Sequence, residues 1–388
     1  METKSAAQFL IADGDLPAEP VIVDGFDADN GVLVINTPGL SRRGLRFSQR
    51  DRDTVIRTTA GKEIAIVADV NAFDLDPVAL LRDFYRAWQA NNLSDVLDFL
   101  AKDVVWEVAG PTDIMPWAGS WKGHAGVSKY FVLLNEGLAV DRLEPSRYIA
   151  QGNTVAVVLH GSGESRYGVP YSGGVVHWVT VRNGKISQLQ YYRDTFPLIE
   201  AIFGGRPFTI PPVGNDPHYH VIQPVAAERT TDSIVFDTNV FERPPQTVRT
   251  VKAMYAALQG LNVPEVRKVF AANVVWDIFG PPDLLSWAGE RIGPDAAAES
   301  ASQILETMHF DHFKPTRMIY QDNVAAIVID EAGTSLATGL PFKTSVVHVV
   351  ETNDEGQVTL FKNYINTAWI VEAFQNGRPF TVNASHKL

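Results

Sequence analysis

The chain has 388 residues, a formal net charge of −12 and no cysteine. The missing cysteines exclude disulfides, thiolate nucleophiles and cysteine-based metal sites, and the acidity argues against nucleic acid or an anionic membrane as partner. No apolar run approaches a membrane span, no glycine-rich phosphate loop occurs, and Met1 to Leu16 lacks the apolar block of a secretory leader; a cytoplasmic protein is expected.

Residues 1–78, with short apolar runs such as Val32-Leu33-Val34-Ile35, read as a β-rich extension. Asp76-Pro77 then sets up a helix start, and Leu80, Leu81, Phe84 and Trp88 recur at helical spacing. A short helix with Val96, Leu97 and Leu100 follows. The strand Val104-Val105-Trp106 is stopped at Gly110-Pro111. A third helix carries Val127, Tyr130, Phe131 and Leu134. Three β-rich runs come next, Thr154 to Gly161, Gly174 to Val181 and Ile186 to Asp194, the last two joined by a tight Asn183-Gly184 turn.

The same order then returns. Positions 104–123 and 274–293 are identical at 10 of 20 places, at an offset of 170 residues, including Trp106/Trp276 and Trp117/Trp287. A period this long means duplicated domains rather than a solenoid. The expected division is an extension over 1–78, a first domain over 79–210, a connection over 211–246 and a second domain over 247–388. The connection partly repeats the extension, Arg229 to Phe241 being similar to Arg57 to Phe73. Helices first and strands after them predict an α+β fold. Two cone-shaped domains are expected, each a curved antiparallel sheet over three helices, with extra β-rich segments before each.

The motifs "VVWE…GP…WAG…G" on the first strand and "NGKI…YYRDT" on the last resemble the SnoaL-like polyketide cyclases. These belong to the nuclear transport factor 2-like superfamily, together with ketosteroid isomerases and limonene epoxide hydrolases. The resemblance implies a closed apolar pocket, catalytic groups on the first strand and the last three strands, and sheets that pair. Here the copies would pair within one chain as a pseudo-dimer, and a further homodimer of the whole chain is left open. Where ketosteroid isomerases carry their catalytic Asp, this chain has Val108 and Ile278; Glu107 and Asp277 are one residue off and turn to the other face. Of the epoxide-hydrolase positions, Trp106, Val108, Leu159, Gly161 and Asp194, only the last keeps its residue type. The second copy there has Trp276, Ile278, Ile329, Glu331 and Asn366.

Asp194 is therefore the candidate proton carrier, with His177 to orient it or polarise an oxygen and Tyr192 to hydrogen-bond a developing oxyanion. The alternative is that Asp194 caps the following helix. His177 recurs as His348, which suits catalysis or a shared structural hydrogen bond. The first pocket is expected to be lined by Trp106, Val108, Trp117, Trp121, Tyr130, Leu159 and Tyr167. Glu331, His348, Tyr364 and Asn366 are candidates for a second pocket, whose copy is either a supporting domain or the place of a second step. His309 and His312 read as a solvated helix end, and no metal or cofactor is expected. The reading is a cofactor-free cyclase, isomerase or hydratase (lyase) of secondary metabolism, acting in the first domain on a small apolar carbonyl compound. A non-catalytic small-molecule-binding or scaffold protein with the same pockets is the alternative.

Overall fold

The structure is a computed structural model that describes residues 7–28, 31–204, 206, 208, 219–220, 222, 234–235, 245–259 and 263–376. The N-terminal strands are β1 (Gln8–Asp13), β2 (Val21–Val23), β3 (Val32–Asn36), β4 (Leu45–Arg50), β5 (Asp53–Thr58) and β6 (Glu63–Val67). They form two small sheets around their own core, with Leu33, Ile35, Ile56 and Ile64 fully buried.

The first copy runs α1 (Ala72–Leu75), α2 (Pro77–Gln89), α3 (Leu93–Asp98), β7 (Leu100–Val108), β8 (Gly110–Pro111), β9 (Gly119–Lys122) and α4 (Gly123–Gly137). It continues through β10 (Leu138–Gln151), β11 (Thr154–Ser165), β12 (Pro170–Arg182), β13 (Lys185–Arg193) and α5 (Phe196–Phe203). Two short strands follow, β14 (Tyr219–His220) and β15 (Ile234–Val235). β15 adds to β3 as a parallel strand. The rest of the expected repeat over Arg229 to Phe241, and the tail after residue 376, lie outside the described residues.

The second copy repeats the order: α6 (Gln246–Gln259), α7 (Val263–Val269), β16 (Phe270–Ile278), β17 (Gly289–Ile292), α8 (Pro294–Thr307), β18 (Met308–Gln321), β19 (Val324–Ser335), β20 (Pro341–Thr352), β21 (Val358–Tyr364) and α9 (Thr367–Gln375). Each copy has a six-stranded sheet, β10-β11-β12-β13-β7-β9 and β18-β19-β20-β21-β16-β17. The sheets are antiparallel except where β13 meets β7 and β21 meets β16, which pair in parallel. Bulges at matching places bend the long strands, between Val140 and Arg142 in β10 and between Phe310 and His312 in β18, as an extra residue on one strand does. His309 and His312 thus stand on a strand, not at a helix end.

The sheets pack back to back. Val176, Trp178 and Tyr192 from the first copy meet Ala326, Val328, Val347 and Tyr364 from the second in one buried cluster. Polar contacts across the seam obey the pseudo-twofold. Ala150 N donates to Gln321 Oε1 at 3.0 Å, and Tyr320 N donates to Gln151 Oε1 at 3.2 Å. The starts of α5 and α9 are also shared. Thr195 Oγ1 donates to Asn366 Oδ1 at 2.6 Å and accepts from Ala368 N at 3.1 Å. Thr367 Oγ1 donates to Asp194 Oδ1 and accepts from Phe196 N at 3.2 Å. Each helix is thereby started by a side chain of the other copy.

Thr195→Val removes both bonds of its hydroxyl and strands a buried carbonyl oxygen and a backbone N–H. A loss of roughly 1–3 kcal/mol is expected in urea denaturation. A loss below about 0.5 kcal/mol would show that the seam contributes little through these caps.

Candidate functional site

The side of the sheet that each residue occupies follows from the β12–β13 register. Arg182 pairs with Lys185 beside the Asn183-Gly184 turn, where both turn residues have positive φ. A regular ladder from there would set His177 opposite Gln190. The register instead shifts by a residue between Thr180 and Val181, and His177 pairs with Tyr191. Ser187 is the extra residue, its hydroxyl donating to Thr180 O at 3.1 Å. One residue of slip exchanges the two faces of everything beyond it. Tyr191 and Arg193 therefore face the first cone, and Gln190 and Tyr192 face the seam.

This separates the expected trio. His177 is fully buried inside the cone, its Nδ1 2.8 Å from Tyr85 Oη, its ring centroid 4.4 Å from that of Tyr191. Burial, and then the nearby Arg193 charge, lower its pKa to about 3, so it stays neutral. Tyr192 lies on the opposite face, where Arg317 Nη2 donates to its hydroxyl at 3.0 Å. Asp194 is buried at the start of α5, and its Oδ1 accepts from Phe196 N at 2.9 Å as well as from Thr367. Burial raises its pKa while those two bonds and Arg193 oppose the rise. Asp194 and His177 are not brought together, and the carboxylate's contacts are those of a helix start and a seam.

The first cone is also nearly full. Trp88 lies 5.4 Å from Trp106 and 5.1 Å from Phe131, and Trp106 lies 5.3 Å from Tyr130, centroid to centroid. What remains is a cavity of about 20 Å³ that touches Val108, Trp117, Tyr130, Tyr191 and Arg193. Trp106 and Leu159 are buried core residues that do not line it. Trp121 packs outside, its Nε1 donating to Trp117 O at 2.9 Å. Tyr167 is half exposed in a separate surface cleft, between the guanidinium groups of Arg166 and Arg206.

The second cone is open. Leu258, Ser300 and Ala301 stand where the first copy has Trp88, Tyr130 and Phe131. The volume lost from those three side chains leaves a cavity of about 240 Å³. Its walls are apolar, with Trp276, Phe313 and Phe361 prominent, and Leu305 exposed at the rim. Four polar side chains enter it: Tyr255, Glu331, His348 and Asn363. Tyr255 Oη lies 2.8 Å from His348 Nδ1, repeating the Tyr85–His177 bond, and burial lowers His348 to about 3. Asn363 is the direct cross-strand partner of His348, and its buried Oδ1 has no hydrogen-bond partner among the described residues. Glu331 is directly across from Phe313 on β18. Burial alone raises its pKa from an ordinary 4.5 to about 8. Tyr364 and Asn366 do not line this cavity: Tyr364 is in the seam, and Asn366 starts α9.

Sequence reading thus placed Glu331 and His348 but missed Asn363 and Tyr255. The recurrence of Tyr85 as Tyr255 was visible in the repeat, as was the loss of bulk from Trp88 to Leu258 and Phe131 to Ala301.

A curved sheet closed over three helices, with an apolar cavity reached by a few polar side chains, defines a cone-shaped α+β domain. The chain belongs to the family of SnoaL-like domains, whose model matches residues 81–189 and 251–361, more than half of the chain. No curated protein matches it. Among solved structures it is similar to an NTF2-like protein of Burkholderia pseudomallei, 24% identical, covering 32% of this chain and 95% of that one with a TM-score of 0.31. An NTF2-like protein of Burkholderia xenovorans is 28% identical, with 32% and 94% covered and a TM-score of 0.30. An LEH-like epoxide hydrolase of M. tuberculosis is 18% identical, with 34% and 91% covered and a TM-score of 0.28. No helix among the described residues is long and apolar enough to cross a membrane.

The raised pKa of Glu331 makes a prediction about stability. The unfolded chain releases this proton near pH 4.5 and the folded chain near 8, so between those values the folded state holds more protons. Its contribution is complete below about pH 4.5 and declines until about pH 8. In Glu331→Gln that part of the pH slope should vanish, leaving the variant more stable than wild type at pH 8 in denaturant titrations. Parallel pH profiles for the two proteins would show that Glu331 titrates normally.

Proposed function

We infer that the second copy is the chemical half of the chain. It is a cofactor-free acid/base site for a small, apolar, carbonyl-bearing molecule, and the first copy is its supporting partner in an intramolecular pseudo-dimer. The observation that carries this reading is Glu331: a buried carboxyl, without a hydrogen-bond partner among the described residues, in an apolar cavity large enough to admit a ligand. A carboxylate so poorly solvated is a strong base, and a pKa of about 8 lies close to a working pH.

His348 and Asn363 stand side by side, four residues along β20 from the register of Glu331, or about 13 Å along the sheet. All three side chains line the same cavity, and an extended conjugated carbonyl frame would bridge them. In the tautomer whose Nδ1 accepts from Tyr255, neutral His348 presents its other ring nitrogen as a donor, and the Asn363 amide supplies another. In this reading Glu331 takes a proton from carbon, and the electron pair moves to the carbonyl oxygen. The resulting enolate is held by His348 and Asn363. The Glu331 proton then returns to a different carbon in an isomerisation, or the enolate carbon bonds to a second carbonyl in a cyclisation and the Glu331 proton goes to the alkoxide so formed. The substrate class suits secondary metabolism.

The test is exchange of α-protons for solvent deuterium in a panel of conjugated ketones and β-diketones, followed by NMR. Wild type should accelerate exchange, with kcat/KM rising with pH and levelling above about 8. Glu331→Gln should lose a factor of roughly 10² to 10⁴. Asp194→Asn should stay within about threefold of wild type, since Asn also starts a helix. Retention of most activity in Glu331→Gln would end this reading, and wild type that binds these ketones without exchange would leave a binding protein in its place.

A further inference from the structure

The first cone holds a buried cation that makes no ion pair among the described residues. Arg193 is 6% exposed and lines the small cavity, together with Tyr130, Tyr171 and Tyr191. Its Nε donates to Asp194 O at 3.1 Å, but its buried Nη2 has no hydrogen-bond partner among the described residues. A guanidinium does not release its proton in proteins, and a buried charge needs a counter-charge. No residue lining the cavity is acidic. The neighbouring Asp194 carboxylate feels the Arg193 charge, but its hydrogen bonds go to Phe196 N and Thr367, and the face of the Tyr171 ring lies 5.7 Å from the guanidinium. His177 is neutral. The tyrosines can donate hydroxyl hydrogens, Tyr171 gives its own to Ala139 O at 3.3 Å, and burial pushes the Tyr130 and Tyr171 phenols up, away from the charged form.

The second copy shows what is missing. The counterpart of Arg193 is Ile365, and the counterpart of Gly161 is Glu331. Gly161 lines the same cavity as Arg193, and its cross-strand partner is Gly173, whose absent Cβ would lie 3.9 Å from Arg193 Nη2. Each cone thus keeps one half of an ion pair: the cation in the first, the carboxyl in the second.

We propose that the first cone binds a halide-sized monovalent anion against Arg193, with Tyr130 and Tyr191 as further donors. The cavity of about 20 Å³ has room for one small occupant, a water or a monatomic ion. The site is independent of the chemistry at Glu331.

The test replaces gluconate by chloride or bromide at constant ionic strength and follows the melting temperature of the full chain. Wild type should show a saturable rise of roughly 3–6 °C, and bromide-soaked crystals should give an anomalous peak at the Arg193 guanidinium. Arg193→Met should lose the response. Gly161→Glu is the variant that does not depend on tolerating a lost charge. A Cβ at that position meets only Leu143 and Val175, each at an ordinary 3.6 Å. The new carboxylate should take the ion's place, so that this variant melts as high as halide-saturated wild type and ignores halide. A halide response of undiminished size in Gly161→Glu, or no difference between gluconate and halide in wild type, would overturn the proposal.

Discussion

Each of the two sheets has one face pressed against the other, and that commitment divides every strand into alternating halves. Val176, Trp178 and Tyr192 are spent on the seam; Val175, His177 and Tyr191 are left for the cone. A back-to-back pairing therefore does more than join two domains. It closes one face to ligand and leaves the concave face, roofed by α2, α3 and α4 or by α6, α7 and α8, as the place where a cavity can form. The polar residues of the two faces have correspondingly different work. Arg317 donates to Gln190 and Tyr192 across the join, and Asp194 and Asn366 each accept from a threonine of the opposite copy. His348, Asn363 and Glu331 face a cavity of apolar walls with almost no partners.

That division explains what could be read from the sequence. The fold was legible because its evidence is repeated: the Val-Val-Trp strand, the Gly-Pro stop and the Trp-Ala-Gly segment recur in the same order at one spacing. Packing requirements of that kind survive in both copies. The pairing of Asp194 with His177 was not legible, because it turned on Ser187. The extra residue costs the strand little and leaves no mark in periodicity, yet it moves Tyr192 and Asp194 from the cone to the seam. The second copy shifts at the matching place, between Glu351 and Thr352. A feature common to both copies cannot be found by comparing them.

The differences between the copies were legible in principle, and the proposed function rests on them. Three aromatic side chains in the first cone fill the space that three smaller ones leave open in the second. Bulk at Trp88, Tyr130 and Phe131 turns a cavity into a core, and the same backbone with Leu258, Ser300 and Ala301 turns it back. The shared Tyr–His hydrogen bond is found in both a full cone and an open one, so its presence does not by itself mark a reacting site. What marks the second cone is the coincidence of space with a carboxyl that has no hydrogen-bond partner among the described residues.

A pair of identical subunits related by a twofold axis must spell every change twice. A glutamate gained at one wall would appear at both, and so would the loss of an arginine. Joining the copies in one chain removes that rule while keeping the shared helix starts at Thr195 and Thr367 that hold the halves in register. Gly161 and Glu331, or Arg193 and Ile365, are then free to drift apart with the seam untouched. The linkage between the copies, whatever its own structure, gives this molecule a lasting left and right, and so two interiors of opposite polarity on one scaffold.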